Sequence, residues 1–96
     1  ILPKEHYKDL CEADSAVTAK ILPLAGRIGQ AMKKELGASG FNVVQNNGES
    51  AGQTVFHLHV HVIPRYERGP AMVQWIPGTV DAEELERTAE IVRKGL

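Results

Sequence analysis

Three of the four histidines in this chain occupy alternate positions, at His57, His59 and His61. Side chains at alternate positions of a β-strand point to the same face of a sheet. The intervening Leu58 and Val60 are apolar, so the pattern predicts a strand with one apolar face and one face of imidazoles. A row of groups that titrate near neutral pH repels itself when protonated and adds little strand propensity. We therefore interpret the row as functional rather than as ordinary solvated polar residues.

Two kinds of chemistry use such a row. A zinc ion would need further ligands, because His57 and His61 would lie roughly 13 Å apart at Cα on a strand. His6 is available for this, but the chain has a single cysteine, Cys11. The other use is nucleophilic catalysis, in which one neutral imidazole attacks phosphorus and its neighbours hold its tautomer or supply a proton. The histidines by themselves leave both uses open.

The polar segment before the histidines favours a phosphate ligand. Amide, hydroxyl and backbone N–H groups are donors without positive charge, and glycine lets the backbone approach a ligand closely. Elsewhere in a chain these residues would be interpreted as ordinary loop formers, but their position directly before the histidines favours phosphate binding. The candidates are Asn46, Asn47, Gly48, Gly52, Gln53 and Thr54.

Apolar residues at spacings of three and four predict a long helix over residues 14–36. Asp14 or Ser15 is placed to cap its start, and Gly37 is placed to end it in the left-handed conformation. Pro23 lacks an amide proton and crowds the preceding turn. We expect it either to kink the helix or to separate the first two turns.

Residues 41–45 and 55–63 are rich in β-branched and aromatic side chains and predict an antiparallel hairpin with a long loop at residues 46–53. An irregular stretch, a short apolar segment at residues 71–76 and a last helix follow. Asp81 and Glu84 form a capping box at the start of that helix. The pattern predicts an α+β fold with antiparallel strands and flanking helices, in a single domain over residues 1–96.

Composition narrows the class of protein. The chain has 96 residues, 43% of them hydrophobic and 24% charged, as in an ordinary globular domain. Eleven Lys and Arg against 12 Asp and Glu leave a net charge of -1, which argues against nucleic acid or an anionic membrane as a partner. The apolar runs are too short to cross a bilayer. The lone Cys11 favours a reducing compartment, so we expect a cytoplasmic protein.

The run from Gln45 to Arg65, with His-φ-His-φ-His-φ-φ at its centre (φ, apolar), resembles the signature of the histidine triad family of nucleotide hydrolases and transferases. The beginning of the chain, Ile1 to His6, is similar to the family's Pro-Lys-x-His segment. The resemblance implies a homodimer with the histidine triad fold. It also implies hydrolysis of nucleoside phosphoramidates or dinucleoside polyphosphates, with a purine nucleotide as the expected substrate and a nucleotidyl-histidine intermediate. The alternative is a non-catalytic module that binds a nucleotide or a metal on the same face.

The resemblance also implies roles for individual residues. His59 matches the nucleophile, His57 the histidine that orients it, and His61 the histidine that contacts phosphate and leaving-group oxygens. The other matches are polar phosphate and leaving-group contacts, the backbone that assists them, and a supporting histidine. Asn46, Gln53 and Thr54 match the polar contacts, the backbone beside Gly52 matches the assisting backbone, and His6 matches the supporting histidine.

Two features of the family have no counterpart in the sequence. Family members begin with a helix and strands that form the base and ribose pocket, so we expect this chain to be incomplete at its N-terminus and assign base recognition to no residue. Many bacterial members carry a Cys-x-x-Cys that binds zinc with histidines matching His6 and His57. The sequence lacks it, and we expect no metal or cofactor. For Arg65 and Arg68, steering of distal phosphates and ordinary surface exposure remain equally open.

Overall fold

The computed structural model describes residues 1–67 and 82–96. Its elements, in chain order, are α1 (Ser15–Thr18), α2 (Ile21–Glu35), β1 (Gly40–Val44), a 3-10 turn (Glu49–Ala51), β2 (His61–Arg65) and α3 (Ala82–Gly95). One antiparallel sheet with helices gives the predicted α+β class. The predicted cap at Asp81, the apolar segment at residues 71–76 and Arg68 lie outside the described residues.

The helical region predicted over residues 14–36 is divided in two. The Asp14 carboxylate caps α1, accepting from the backbone N–H of Ala16 at 2.8 Å. A second helix, α2, begins at Ile21, which puts Pro23 in its first turn. An N–H in that turn has no intrahelical acceptor, so the proline costs no hydrogen bond there. Gly37 follows α2 with a φ of 70°, the left-handed conformation predicted for it.

The two strands form one ladder whose register defines two faces. Val44 pairs with His61 and Gly40 pairs with Arg65. Since opposite residues share a face, His61, Ile63 and Arg65 lie on one face with Asn42 and Val44. Phe41 lies on the other face, against α2, so closely that a Cβ at Gly29 would collide with its ring. Helix α2 therefore covers one face of the ladder, opposite the face that carries His61.

The predicted strand over residues 55–63 is wrong in its bounds, because β2 begins only at His61. Strand β1 ends at Val44, so the residues before His61 have no ladder partner in it. They bond instead to the beginning of the chain. The N–H of Leu58 donates to the carbonyl of Tyr7 at 2.7 Å, and that of Val60 donates to the carbonyl of Ile1 at 2.9 Å.

The predicted alternation of buried apolar residues with histidines is present even though residues 57–60 bond to a different segment. Leu58 and Val60 are 0% and 5% exposed and form a core cluster with Ile21. The three histidines that alternate with them are only half-buried. Backbone hydrogen bonds to the N-terminal segment thus hold the histidines on the opposite side from the core.

Helix α3 has glutamates in its first turn and basic residues in its last, which suits the helix dipole. Its C-terminal end packs on α2, where a Cβ at Gly95 would come within 2.7 Å of the Ala31 Cβ. No helix within residues 1–67 and 82–96 is long and apolar enough to cross a membrane.

Candidate active site

The ring orientation of His59 is set by a backbone carbonyl. Its Nδ1 lies 2.7 Å from the carbonyl oxygen of His57. A carbonyl oxygen only accepts, so Nδ1 carries the hydrogen in this contact. In the neutral ring the lone pair is then on Nε2. The fold thus determines which ring nitrogen of His59 carries the hydrogen and which carries the lone pair.

Both ring nitrogens of His57 contact the N-terminal segment. Its Nε2 lies 3.0 Å from the carbonyl oxygen of Pro3 and donates to it. Its Nδ1 lies 3.0 Å from Nδ1 of His6, and in the neutral tautomer it accepts from that atom. The side chain of His57 therefore ties the N-terminal segment to the histidines, while its backbone carbonyl orients His59.

His61 stands edge-on to His59, with ring centroids 5.0 Å apart and an interplanar angle of 87°. Burial lowers the pKa of His61 from its usual 6.5, and the charges of His59 and the chain's amino terminus lower it further. Most of the His61 population is therefore uncharged at neutral pH. A neutral imidazole has one N–H donor and one acceptor.

The rings of His59 and His61 lie at the wall of a pocket of about 750 Å³. Five of the predicted site residues line it, namely His59, His61, Asn46, Gly52 and Thr54. Gly52 has a φ of 91°, and the Asn46 amide nitrogen lies 3.7 Å from where a Cβ of Gly52 would be. The rest of the lining is mainly apolar, as in many small-molecule sites.

Gln53 lies beneath the loop, at 2% exposure, and is not among the lining residues. Its Oε1 accepts from the N–H of Gly48 at 2.7 Å, and its Nε2 donates to the carbonyls of Lys8 at 2.7 Å and Val55 at 3.1 Å. Both polar atoms of the amide are thus bonded to backbone. Gln53 therefore acts as a clamp that ties the loop to the N-terminal segment through its bonds to Gly48 and Lys8. Its contact with substrate stays a prediction.

Further backbone N–H groups of the loop donate within the loop itself. That of Gly52 donates to Glu49 at 3.0 Å, and that of Gln53 donates to Gly48 at 3.0 Å. The side chains of Asn46, Thr54 and His61 line the pocket and carry hydrogen-bond donors without a formal charge in the neutral ring.

Sequence reasoning left Arg65 open, and the structure places it in the pocket lining. Its Nε donates to Oδ1 of Asn42 at 2.7 Å. Asn42 was not predicted as a site residue. The alternation of side chains along the strands could have predicted both residues. Arg65 alternates with His61 along β2, and Asn42 lies on the same face of the ladder.

His6 and His57 supply two ring nitrogens, half of the four ligands that a structural zinc site needs. Among residues 1–67 and 82–96, no group of three or more His, Cys, Asp or Glu side chains is arranged to hold a metal ion. The described residues therefore do not make up a complete zinc site, and the expectation of no metal stays a prediction.

Comparison with known proteins gives consistent matches. Among relatives by sequence, the chain is 44% identical over 68 residues to adenylylsulfatase HINT3 of Arabidopsis thaliana, covering 71% of this chain and 34% of that protein. It is 34% identical over 91 residues to the adenosine 5'-monophosphoramidase of Schizosaccharomyces pombe, covering 94% of this chain and 65% of that protein. Among solved structures, a HIT-like protein of Bartonella henselae matches with a TM-score of 0.85 at 33% identity, covering 99% of this chain and 68% of that one.

The chain spans 34% to 49% of the length of the first three curated relatives that it matches. The model of the HIT domain matches residues 1–68, which include all four histidines, the polar loop and both strands. The chain therefore belongs to the histidine triad, or HIT domain, family.

Proposed function

We propose that this protein is a nucleotide hydrolase that acts through a nucleotidyl intermediate on His59, with nucleoside phosphoramidates or dinucleoside polyphosphates as substrates. The observation that carries the proposal is the 2.7 Å contact between Nδ1 of His59 and the carbonyl of His57, at the wall of a pocket. It leaves Nε2 as the nucleophile. The names of two relatives, an adenylylsulfatase and an adenosine 5'-monophosphoramidase, support hydrolysis of nucleotides.

The first half-reaction transfers the nucleotidyl group to the protein. The lone pair on Nε2 of His59 attacks the α-phosphorus, and a nitrogen–phosphorus bond forms as the bond to the leaving group breaks. The departing amine or phosphate keeps the electron pair and takes up a proton. Positive charge develops on the imidazole, and its Nδ1–H remains bonded to the carbonyl of His57.

The second half-reaction frees the protein. Water attacks the same phosphorus, loses a proton, and displaces Nε2, which recovers its lone pair. The product is a nucleoside monophosphate. In both steps Asn46 and Thr54 supply neutral hydrogen-bond donors to the phosphate oxygens, and His61 donates an N–H to the phosphate or the leaving group.

Further parts of the proposal rest on membership in the family for the substrate and the dimer, on the lone Cys11 for the location, and on the chain's length for the domain. We infer a purine nucleotide as substrate, a homodimer and a cytoplasmic location, and we treat residues 1–96 as one domain. The net charge of -1 supports a small anionic ligand held locally rather than a nucleic acid or a membrane surface. Sedimentation equilibrium tests the dimer directly.

The test is turnover in the presence of a chelator. Release of AMP from adenosine 5'-phosphoramidate and from diadenosine tetraphosphate is measured for the wild-type chain and for His59→Ala, with the exposed α2 substitution Gln30→Ala as control. We expect turnover of at least one substrate by the wild type and by Gln30→Ala, and a loss of about 10³-fold or more in His59→Ala, typical of a missing nucleophile.

Three outcomes would contradict the proposal. Undiminished turnover by His59→Ala would rule out the nucleophile. Loss of wild-type activity on chelation would indicate a metal-dependent reaction. Binding of AMP by the wild type without turnover of either substrate would favour the non-catalytic binding module.

A further inference from the structure

We propose that Arg65, braced by Asn42, is a specificity-determining residue that favours substrates whose leaving group contains a second phosphate. The inference deepens the proposed function and rests on it, since it takes attack by His59 as the reaction. Its consequence is a preference for dinucleoside polyphosphates over phosphoramidates.

The position of Arg65 along β2 is the first argument. His61, Ile63 and Arg65 share one face of the strand, and all three line the pocket that contains His59. On a strand, the Cα atoms of His61 and Arg65 are separated by about 13 Å. A phosphate held beside His59 and His61 therefore lies near one end of the pocket, and the Arg65 side chain lies toward the other. A leaving group longer than an amine extends into the space between them.

The Arg65 guanidinium is held in place before any ligand binds. Its Nε donates to Oδ1 of Asn42 at 2.7 Å. Its backbone carbonyl accepts from the N–H of Ser39 at 2.9 Å and from the Ser39 hydroxyl at 3.2 Å. Of the five N–H donors of an arginine, one is used by Asn42 and four remain on the terminal nitrogens. A fixed fork of donors loses little entropy when it binds a phosphate.

The charge of Arg65 has no carboxylate counter-ion within residues 1–67 and 82–96, where the ion pairs all involve other residues. Its hydrogen-bond partner Asn42 is neutral, and the side chain is half-buried beside an apolar lining. A partly buried cation attracts an anion more strongly than an exposed one does, because less solvent screens it.

The α-phosphate is a poorer candidate for this charge. Asn46, Thr54 and His61 line the same pocket as His59, and in the proposed reaction their neutral donors bind that phosphate. If Arg65 bound the α-phosphate, its loss would weaken every substrate alike. If it binds the leaving group, its loss discriminates between substrates, and this difference is what the experiment measures.

The experiment compares two substrates that carry the same adenylate, adenosine 5'-phosphoramidate and diadenosine tetraphosphate, with a chelator present. The ratio of their kcat/KM values is measured for wild type, Arg65→Gln and Asn42→Ala. Arg27→Gln removes one positive charge from an exposed position on α2 and serves as the matched control. A thermal unfolding curve for each variant verifies that it is folded.

We expect Arg65→Gln to lower the ratio for tetraphosphate over phosphoramidate by about 10- to 100-fold, the usual effect of losing a charge-assisted hydrogen bond. Asn42→Ala should lower it in the same direction by a smaller factor, because the charge remains but its brace is gone. Arg27→Gln should keep the wild-type ratio. An unchanged ratio in Arg65→Gln, or equal losses for both substrates, would overturn the inference.

A binding measurement separates this inference from the proposed function. Calorimetric titration with AMP and with ATP, in chelator, needs no turnover. We expect the wild type to bind ATP more tightly than AMP, and Arg65→Gln to lose most of that difference. Equal affinities in the wild type, or a difference that persists in Arg65→Gln, would overturn the role of Arg65. If the wild type turns over neither substrate, the proposed function fails, and the titration still decides what Arg65 does.

Discussion

The Nδ1 atom of His59 lies 2.7 Å from the carbonyl oxygen of His57, two residues earlier in the chain. That carbonyl belongs to the same peptide group as the N–H of Leu58, which donates to the carbonyl of Tyr7 at 2.7 Å. The peptide between His57 and Leu58 is therefore engaged at both ends. Through it, the docking of the N-terminal segment sets the orientation and the tautomer of the His59 ring.

Because the orienting contact comes from the backbone of His57, removing the imidazole of that residue should not remove the contact. We expect His57→Ala to lower kcat by about 10- to 100-fold, as a small misplacement of a reacting group does, through loss of the bonds to Pro3 and His6. The loss in His59→Ala should be far larger. Equal losses in the two variants, measured with the same substrate, would show that the His57 ring itself takes part in bond making.

The lowered pKa of His61 makes stability depend on pH. The unfolded ring takes up a proton near its usual pKa of 6.5, while the folded ring stays neutral to lower pH. The unfolded state then binds more protons, so the stability present above pH 6.5 is lost as the pH falls through the folded pKa. We expect wild type to lose more unfolding free energy than His61→Asn between about pH 7.5 and about pH 5 in urea titrations. An equal decline in the free energy of unfolding of both proteins would contradict the lowered pKa of His61.

Gln53 should matter for stability as well as for activity. Replacement by leucine keeps much of the volume but leaves the N–H of Gly48 and the carbonyl of Lys8 without their partner. We expect Gln53→Leu to lower the free energy of unfolding by about 1–3 kcal/mol. Gln30→Leu, at an exposed position on α2, should change it by no more than about 0.5 kcal/mol. A Gln53 variant as stable as the Gln30 variant would mean that the loop does not depend on this clamp.

Two glycines of α2 provide a matched test of how this helix packs on the sheet. A Cβ at Gly29 would collide with the ring of Phe41, whereas a Cβ at Gly26 would meet nothing within 4 Å. We expect Gly29→Ala to destabilise the protein by about 1–3 kcal/mol through overpacking. Gly26→Ala should stabilise it by about 0.5–1 kcal/mol, since alanine loses less backbone entropy in a helix. Similar effects of the two substitutions in denaturant titrations would contradict the contact with Phe41.

The sequence predicts the ends of the helical region over residues 14–36 and the break within it, because the signals are local. The Asp14 cap, the break before Pro23 and the left-handed Gly37 each depend on residues within one or two turns. The alternation of histidines with Leu58 and Val60 is equally local, and it correctly predicts which of these side chains are buried.

The start of β2 could not be predicted in this way. Periodicity shows that a segment alternates, but not which segment it bonds to, and residues 57–60 bond to the N-terminal segment instead of β1. The roles of Gln53 and His57 depend on the same long-range contacts, with Lys8 and with Pro3. The position of Arg65 could have been predicted, since alternation from His61 along one strand puts it on the face of the pocket.

The most direct test of the nucleotidyl-histidine mechanism is intact-protein mass spectrometry after brief exposure to adenosine 5'-phosphoramidate, followed by peptide mapping. The reaction is stopped under mildly alkaline conditions, in which a phosphorus–nitrogen bond persists. For the wild type we predict a species heavier by one adenylate group, located on His59, that disappears as substrate is consumed. His59→Ala should show no such species. An adenylated His59→Ala chain, or a wild type that releases AMP without ever carrying the added mass, would contradict attack by His59.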